Sequence, residues 1–175
     1  MNNLNTKSLK RVEIAKEVLL LLDSHQIKAQ SGYYIRQPHY NDATENFYCE
    51  VCGVGALVVA ALHETSDMSG DNASKVLMLL EPYFDFKQLA LIEAAFEGNE
   101  HMEVIRSALN SGAALFTISG KNYDEYYDEY YADEDDFVRA RRMFCRADGT
   151  FDYNENLIEI MRNIISHNGE FVIGD

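Results

Sequence analysis

Residues 46–64 read NFYCEVCGVGALVVAALHE, and from Val51 to Leu62 every side chain is small or apolar. A segment without a polar face belongs in an interior, so this stretch predicts a central, buried helix beginning near Cys52 and running to Glu64. Its longest apolar run, Val54 to Leu62, is broken only by Gly55. That run falls far short of the ~20 apolar residues that a membrane span requires. Gly53-Val-Gly55-Ala56 raises a nucleotide-loop reading, but Val58 stands where the third glycine of a dinucleotide fingerprint belongs, and no Gly-Lys-Ser/Thr follows. The spacing is read instead as small residues that let another backbone approach the helix closely.

Outward from this element, helical spacing recurs. Leu9, Val12, Leu19 and Leu22 form one stripe, widened by Ile14, Val18 and Leu21, and predict a helix over 8–24. The segment IKAQSGYYIRQPHYND is punctuated by Ser31-Gly32 and Pro38 and reads as a loop with a short extended piece at 33–36. Asp71 or Asn72 caps a helix over 73–80, closed off by Pro82. Asp85 and Gln88 resemble a capping box ahead of the apolar face of Leu89, Ile92, Ala95 and Phe96. Residues 100–110 predict a further helix, and ALFTIS at 114–119 fits a strand or a helical turn equally. At the C-terminal end, Asn154 is the expected cap of a helix over 155–167 that Gly169 stops, with Phe171-Val-Ile173 a short strand.

The composition sets outer bounds. With 175 residues, one domain is the default. A net charge of −14 repels free phosphate backbone and argues against direct nucleic-acid binding, while favouring a basic partner. The first 22 residues carry Glu13, Lys16 and Glu17 at helical spacing within their apolar stretch, which is unlike a signal peptide. Three cysteines give no disulfide framework, so the expected location is cytoplasmic.

Candidate chemistry is sparse. Cys49 and Cys52 have CxxC spacing and are the only candidates for a metal site, but a structural zinc needs four ligands and no second pair exists. No βαβ pattern surrounds them, which removes a thioredoxin-like reading; two apolar thiols at the entry of a buried helix is the simpler account. His25, His39, His63, His101 and His167 are scattered and match no catalytic motif. No cofactor and no catalytic residue is expected from these patterns.

One resemblance is carried by Ile14-Ala15-Lys16…Leu22, Ser31-Gly32-Tyr33, the 49–57 stretch CEVCGVGAL, the 88–97 stretch QLALIEAAFE and Leu157…Ile160-Met161-Arg-Asn-Ile164…Asn168-Gly169-Glu-Phe171. This order resembles a group of small, uncharacterised bacteriophage and mobile-element proteins. The resemblance spans most of the chain outside 121–146, and its motifs are packing and capping patterns. It implies a helical fold and a viral or mobile-element origin, and it brings no activity with it.

Residues 121–136, KNYDEYYDEYYADEDD, lie outside that resemblance. Tyr123, Tyr126, Tyr127, Tyr130 and Tyr131 follow i, i+3, i+4, i+7, i+8, one face of a helix, and Asp124, Glu125, Asp128, Glu129 and Asp133 fall on the other. Like charges four apart cost a few tenths of a kcal/mol each, so helix stability does not explain the acidic row. Glu134, Asp135 and Asp136 extend it, and Asp133 can cap a separate helix through Phe137, Arg141 and Phe144. The bland account is a solvated face over tyrosines that pack on the core.

The sequence therefore predicts a mainly α protein: a compact single-domain bundle, residues 1–175, of about six to seven helices with at most minor short strands. The functional expectation is an acidic interaction protein of phage type. Asp124, Glu125, Asp128, Glu129, Asp133, Glu134, Asp135 and Asp136, with Tyr123 and Tyr127, present a nucleic-acid-like surface to a basic or nucleic-acid-binding host protein, such as a nuclease or defence complex. A small-ligand or nucleotide-binding protein or an enzyme, and a structural or oligomerising module, are the alternatives; oligomeric state is left open.

Overall fold

The central helix forms where its composition places it. In a computed structural model that describes residues 6–41, 46–68, 73–97, 134–144 and 152–174, helix α2 spans Gly53–Leu62 and is buried from Gly53 to Ala60. Cys52 caps it, its Sγ accepting a hydrogen bond from the Gly55 amide at 3.3 Å. His63 ends it in the left-handed conformation, donating its amide to the Val59 carbonyl. Preceding it are α1 (Thr6–Asp23) and three strands, β1 (Ile27–Ala29), β2 (Ile35–Asn41) and β3 (Asn46–Val51). Following it are α3 (Ala73–Leu80), α4 (Phe86–Glu97), α5 (Glu134–Arg142) and α6 (Tyr153–Ser166). The protein is mainly helical, with one small sheet. Among the described residues no helix is long and apolar enough to cross a membrane.

The sheet corrects the loop expected between 27 and 42. Its order is β1-β3-β2, with β1 parallel to β3 (Ile27 opposite Cys49, Ala29 opposite Val51) and β2 antiparallel to it (Ile35 opposite Val51, Asn41 opposite Asn46). Pro38, taken as a loop marker, lies where the register shifts between Arg36 and His39. A proline is tolerated there because β2 is an edge strand and the irregularity removes the need for its missing amide. The start of β2 is bridged by Met68, whose amide donates to the Ile35 carbonyl at 2.7 Å.

Small residues at the start of α2 do what their spacing implies. A Cβ on Gly55 would lie 1.6 Å from the Tyr34 carbonyl oxygen, and one on Gly53 would lie 2.9 Å from Phe96 Cβ. The chain at 33–34 thus rests directly on the first turn of α2, and the Cys52 amide donates to both the Tyr33 and Tyr34 carbonyls at 3.2 Å.

Capping departs from expectation in two places, and the C-terminal strand in a third. Gln88 N donates to Asp85 Oδ1 at 2.8 Å, but the Gln88 side chain turns away from the reciprocal bond and holds both backbone groups of Phe171. Asp152, not Asn154, caps α6 by accepting from the Asn154 and Glu155 amides. Asn154 Oδ1 instead accepts from the Ala29 amide at 2.9 Å, supplying an acceptor on the open side of edge strand β1. Residues 171–173 are not a strand, because Gln88 and Asn163 side-chain amides take the hydrogen-bonding groups a neighbouring strand would need. Residues 100–110, expected as a helix, and 114–119, expected as a strand or a helical turn, lie outside the described residues.

One buried cation ties distant segments together. Arg11 is 5% exposed on α1. Its Nε donates to the Tyr83 carbonyl at 2.6 Å, its Nη1 to the Gly169 carbonyl at 3.4 Å and to Glu170 Oε1, while Asp85 lies 3.7 Å from Nη2 and the Phe84 ring 5.5 Å from Cζ. Removing this fork strands the Tyr83 carbonyl, whereas Asp85 and Glu170, half-exposed, can regain water. Arg11→Met is expected to lose about 2–3 kcal/mol in urea denaturation. Arg11→Lys should restore little of it, since an ammonium lacks the planar fork.

Candidate functional site

Two clusters stand out, one buried and one open. The buried cluster lies where the chain at 33–34 meets the start of α2 and the face of α4. Tyr34, Cys52, Glu93 and Glu97 are all nearly inaccessible there. In the sequence Glu93 and Glu97 look like the polar side of an amphipathic helix; in the structure every residue of α4 from Leu89 to Glu97 is buried. Burial, then the Glu97 carboxylate one turn on, raises Glu93 to about 8, so it keeps its proton at neutrality. Burial, reinforced by Glu93, also pushes the Tyr34 hydroxyl upward.

The same surroundings decide the chemistry of the two thiols. Burial, then the two glutamates, drives the Cys52 thiol well above its ordinary value, outweighing the amides of Gly55 and Val54 that favour the thiolate. Burial, then Asp67, raises Cys49 on β3 as well. Both are free thiols held in the protonated form, which makes them poor nucleophiles and poor metal ligands. Among the described residues no group of three or more His, Cys, Asp or Glu side chains is placed to hold a metal.

The open cluster is a groove of about 1090 Å3. One wall is an α1 stripe, Lys16, Leu19, Leu20 and Asp23, at i, i+3, i+4 and i+7. The opposite wall is an α6 stripe, Asn154, Ile158 and Arg162, at i, i+4 and i+8. Ile27 and Lys28 of β1 and Tyr48 of β3 lie between them, with Leu22 and His25 at the end of α1. No sequence motif marks this groove, because its residues come from four elements that only folding brings together. The buried cluster contributes nothing to its lining.

Of the acidic surface expected from the sequence, Tyr123, Asp124, Glu125, Tyr127, Asp128, Glu129 and Asp133 lie outside the described residues. Glu134 and Asp135 open α5, and Asp136 is placed one residue further on. Asp136 pairs with Lys87 of α4 at 3.6 Å and with Arg139 at 3.7 Å. Arg139 Nη2 also donates to the Gly174 carbonyl at 3.0 Å, and Ala140 is fully buried. The arginines of the last turn, Arg139, Arg141 and Arg142, sit at the negative end of the helix, as the charge order of the sequence implies.

No protein-family model matches the chain, and neither a curated protein nor a solved structure shows significant similarity to it.

Proposed function

We propose that the protein is an acidic interaction protein and that residues 121–136 are the surface its partner reads. The observation that carries this reading is the concentration of charge: eight carboxylates in thirteen residues, against a net charge of −14 for the whole chain. The attachment of α5 supports it. Asp136 pairs with Lys87 and Arg139, which ties the C-terminal end of the acidic run to α4.

The partner chemistry follows from the charge. A row of carboxylates competes for the Lys/Arg groove of a nucleic-acid-binding protein, and tyrosines supply rigid amphipathic anchors. With the resemblance to small phage proteins, the role is that of an inhibitor acting in a host cytoplasm on a nuclease or defence complex. Such a protein needs no catalytic constellation.

Changing Asp124, Glu125, Asp128 and Glu129 to their amides tests this. Folding should persist, because the acidic row contributes nothing to helix stability. Capture of a basic partner from host lysate, identified by mass spectrometry, should fall by at least about tenfold, and wild-type capture should fade as salt rises. Unchanged capture by the amide variant would mean that the run is only a solvated face.

A further inference from the structure

We propose that the groove between α1 and α6 binds an amphipathic anion, an alkyl chain carrying a carboxylate or phosphate head. None of the residues lining it belongs to the acidic segment.

Charge gives the first argument. Lys16, Lys28 and Arg162 come from three different elements and meet a single acid, Asp23, in a chain whose overall charge is −14. Arg162 is paired with Glu159 at 2.6 Å. Lys16 and Lys28, by contrast, are exposed and make no ion pair among the described residues. Two uncommitted cations beside a low-dielectric wall attract an anion locally even where the long-range field is negative.

The lining gives the second. Leu19, Leu20, Leu22, Ile27 and Ile158 are aliphatic, and Tyr48 and His25 are the two ring side chains beside them. That surface suits a flexible chain better than a stacked planar base. Leu20 is 62% exposed, a large aliphatic side chain left in water with a lysine one turn before it. The volume, about 1090 Å3, lies just above the range of ordinary small-ligand sites, roughly 300–1,000 Å3, and leaves room for an extended chain. A second copy of this chain fits worse, since two bodies of charge −14 repel each other as they approach.

Titration calorimetry on the full chain, with decanoate, decyl phosphate, decanol and decyltrimethylammonium below their micelle concentrations, tests the assignment. Decanoate or decyl phosphate should bind at least about tenfold more tightly than decanol, and the cationic chain should bind more weakly still. The tighter of the two anions identifies the head group. Lys16→Glu combined with Lys28→Glu should weaken anion binding by at least about tenfold, and so should added salt. The Lys16→Gln, Lys28→Gln pair gives the same reading without adding acids, should the first variant lose stability. Equal affinity for all four chains, no binding by either anion, or full affinity in a folded lysine variant would each overturn the proposal. The amide variant of residues 124, 125, 128 and 129 should bind decanoate like the wild type, so this site and the acidic surface fail independently.

Discussion

Gly55→Ala is expected to abolish the native fold or to lower its stability by more than about 4 kcal/mol, a drop of ~10 °C or more in thermal midpoint. Helix propensity alone gives the opposite sign, since alanine within a helix is better than glycine by roughly 1 kcal/mol. Geometry decides, because the added methyl would sit 1.6 Å from the Tyr34 carbonyl oxygen. That oxygen is backbone and already accepts from the Cys52 amide, so it cannot swing aside as a side chain would. To admit a Cβ, the chain at 33–34 must lift away from α2, taking the buried Tyr34 ring and the start of β2 with it. Gly174→Ala is the control, with nothing within 4 Å of its Cβ, and should leave the midpoint unchanged. A folded Gly55→Ala protein with a wild-type midpoint would show that the two backbones are not in this contact.

Glu93→Gln is expected to change the pH dependence of stability strongly between pH 5 and 9. The folded-state value of Glu93, about 8, lies above its ordinary 4.5. Its contribution to stability is therefore fully present below pH 4.5 and is lost as pH rises through 8, because the unfolded carboxyl releases its proton first. The span corresponds to a loss on the order of 5 kcal/mol for wild type between those limits. Glutamine keeps the shape and hydrogen-bonding capacity of the protonated acid while removing the titration. Urea denaturation at pH 5, 7 and 9 should show variant and wild type nearly equal at the lowest pH and the variant increasingly more stable above it. Parallel curves would place Glu93 in water.

These two residues also mark how much of the fold the sequence discloses. The unbroken apolar run 51–62 identifies α2, and its glycine spacing correctly implies a close backbone neighbour, without saying which one. The extents of α1, α3, α4 and α6 follow from periodicity and turn residues to within a residue or two, although α1 buries Ile14, Ala15, Val18 and Leu21 and leaves Leu9 of the expected stripe exposed. The sheet was hidden because β2 carries Pro38 and polar residues that read as a loop, and an edge strand with a register shift tolerates both. Glu93 and Glu97 were hidden for another reason: i, i+4 acids usually face water, and only the packing on α4 shows them buried. Within LALIEAAFE, two acids among seven apolar residues are the sole local hint. Asn154 was read as a cap because its type fits, but Asp152 has the same chemistry two residues earlier and leaves Asn154 for the sheet edge. Arg11 and the groove had no local signature, since each depends on residues far apart in the chain.

Arg11 also sets a timetable for the newborn chain. Its guanidinium reaches Gly169 and Glu170, 158 and 159 residues further along. At roughly 5–20 residues per second, translation takes about ten to thirty seconds to supply those acceptors after Arg11 itself is made. Tyr83 and Asp85 arrive within the first half of that interval, while the Gly169 carbonyl and the Glu170 carboxylate complete the set of partners only at its end. The last of the contacts that hold Arg11 can therefore form only after α6 has been made.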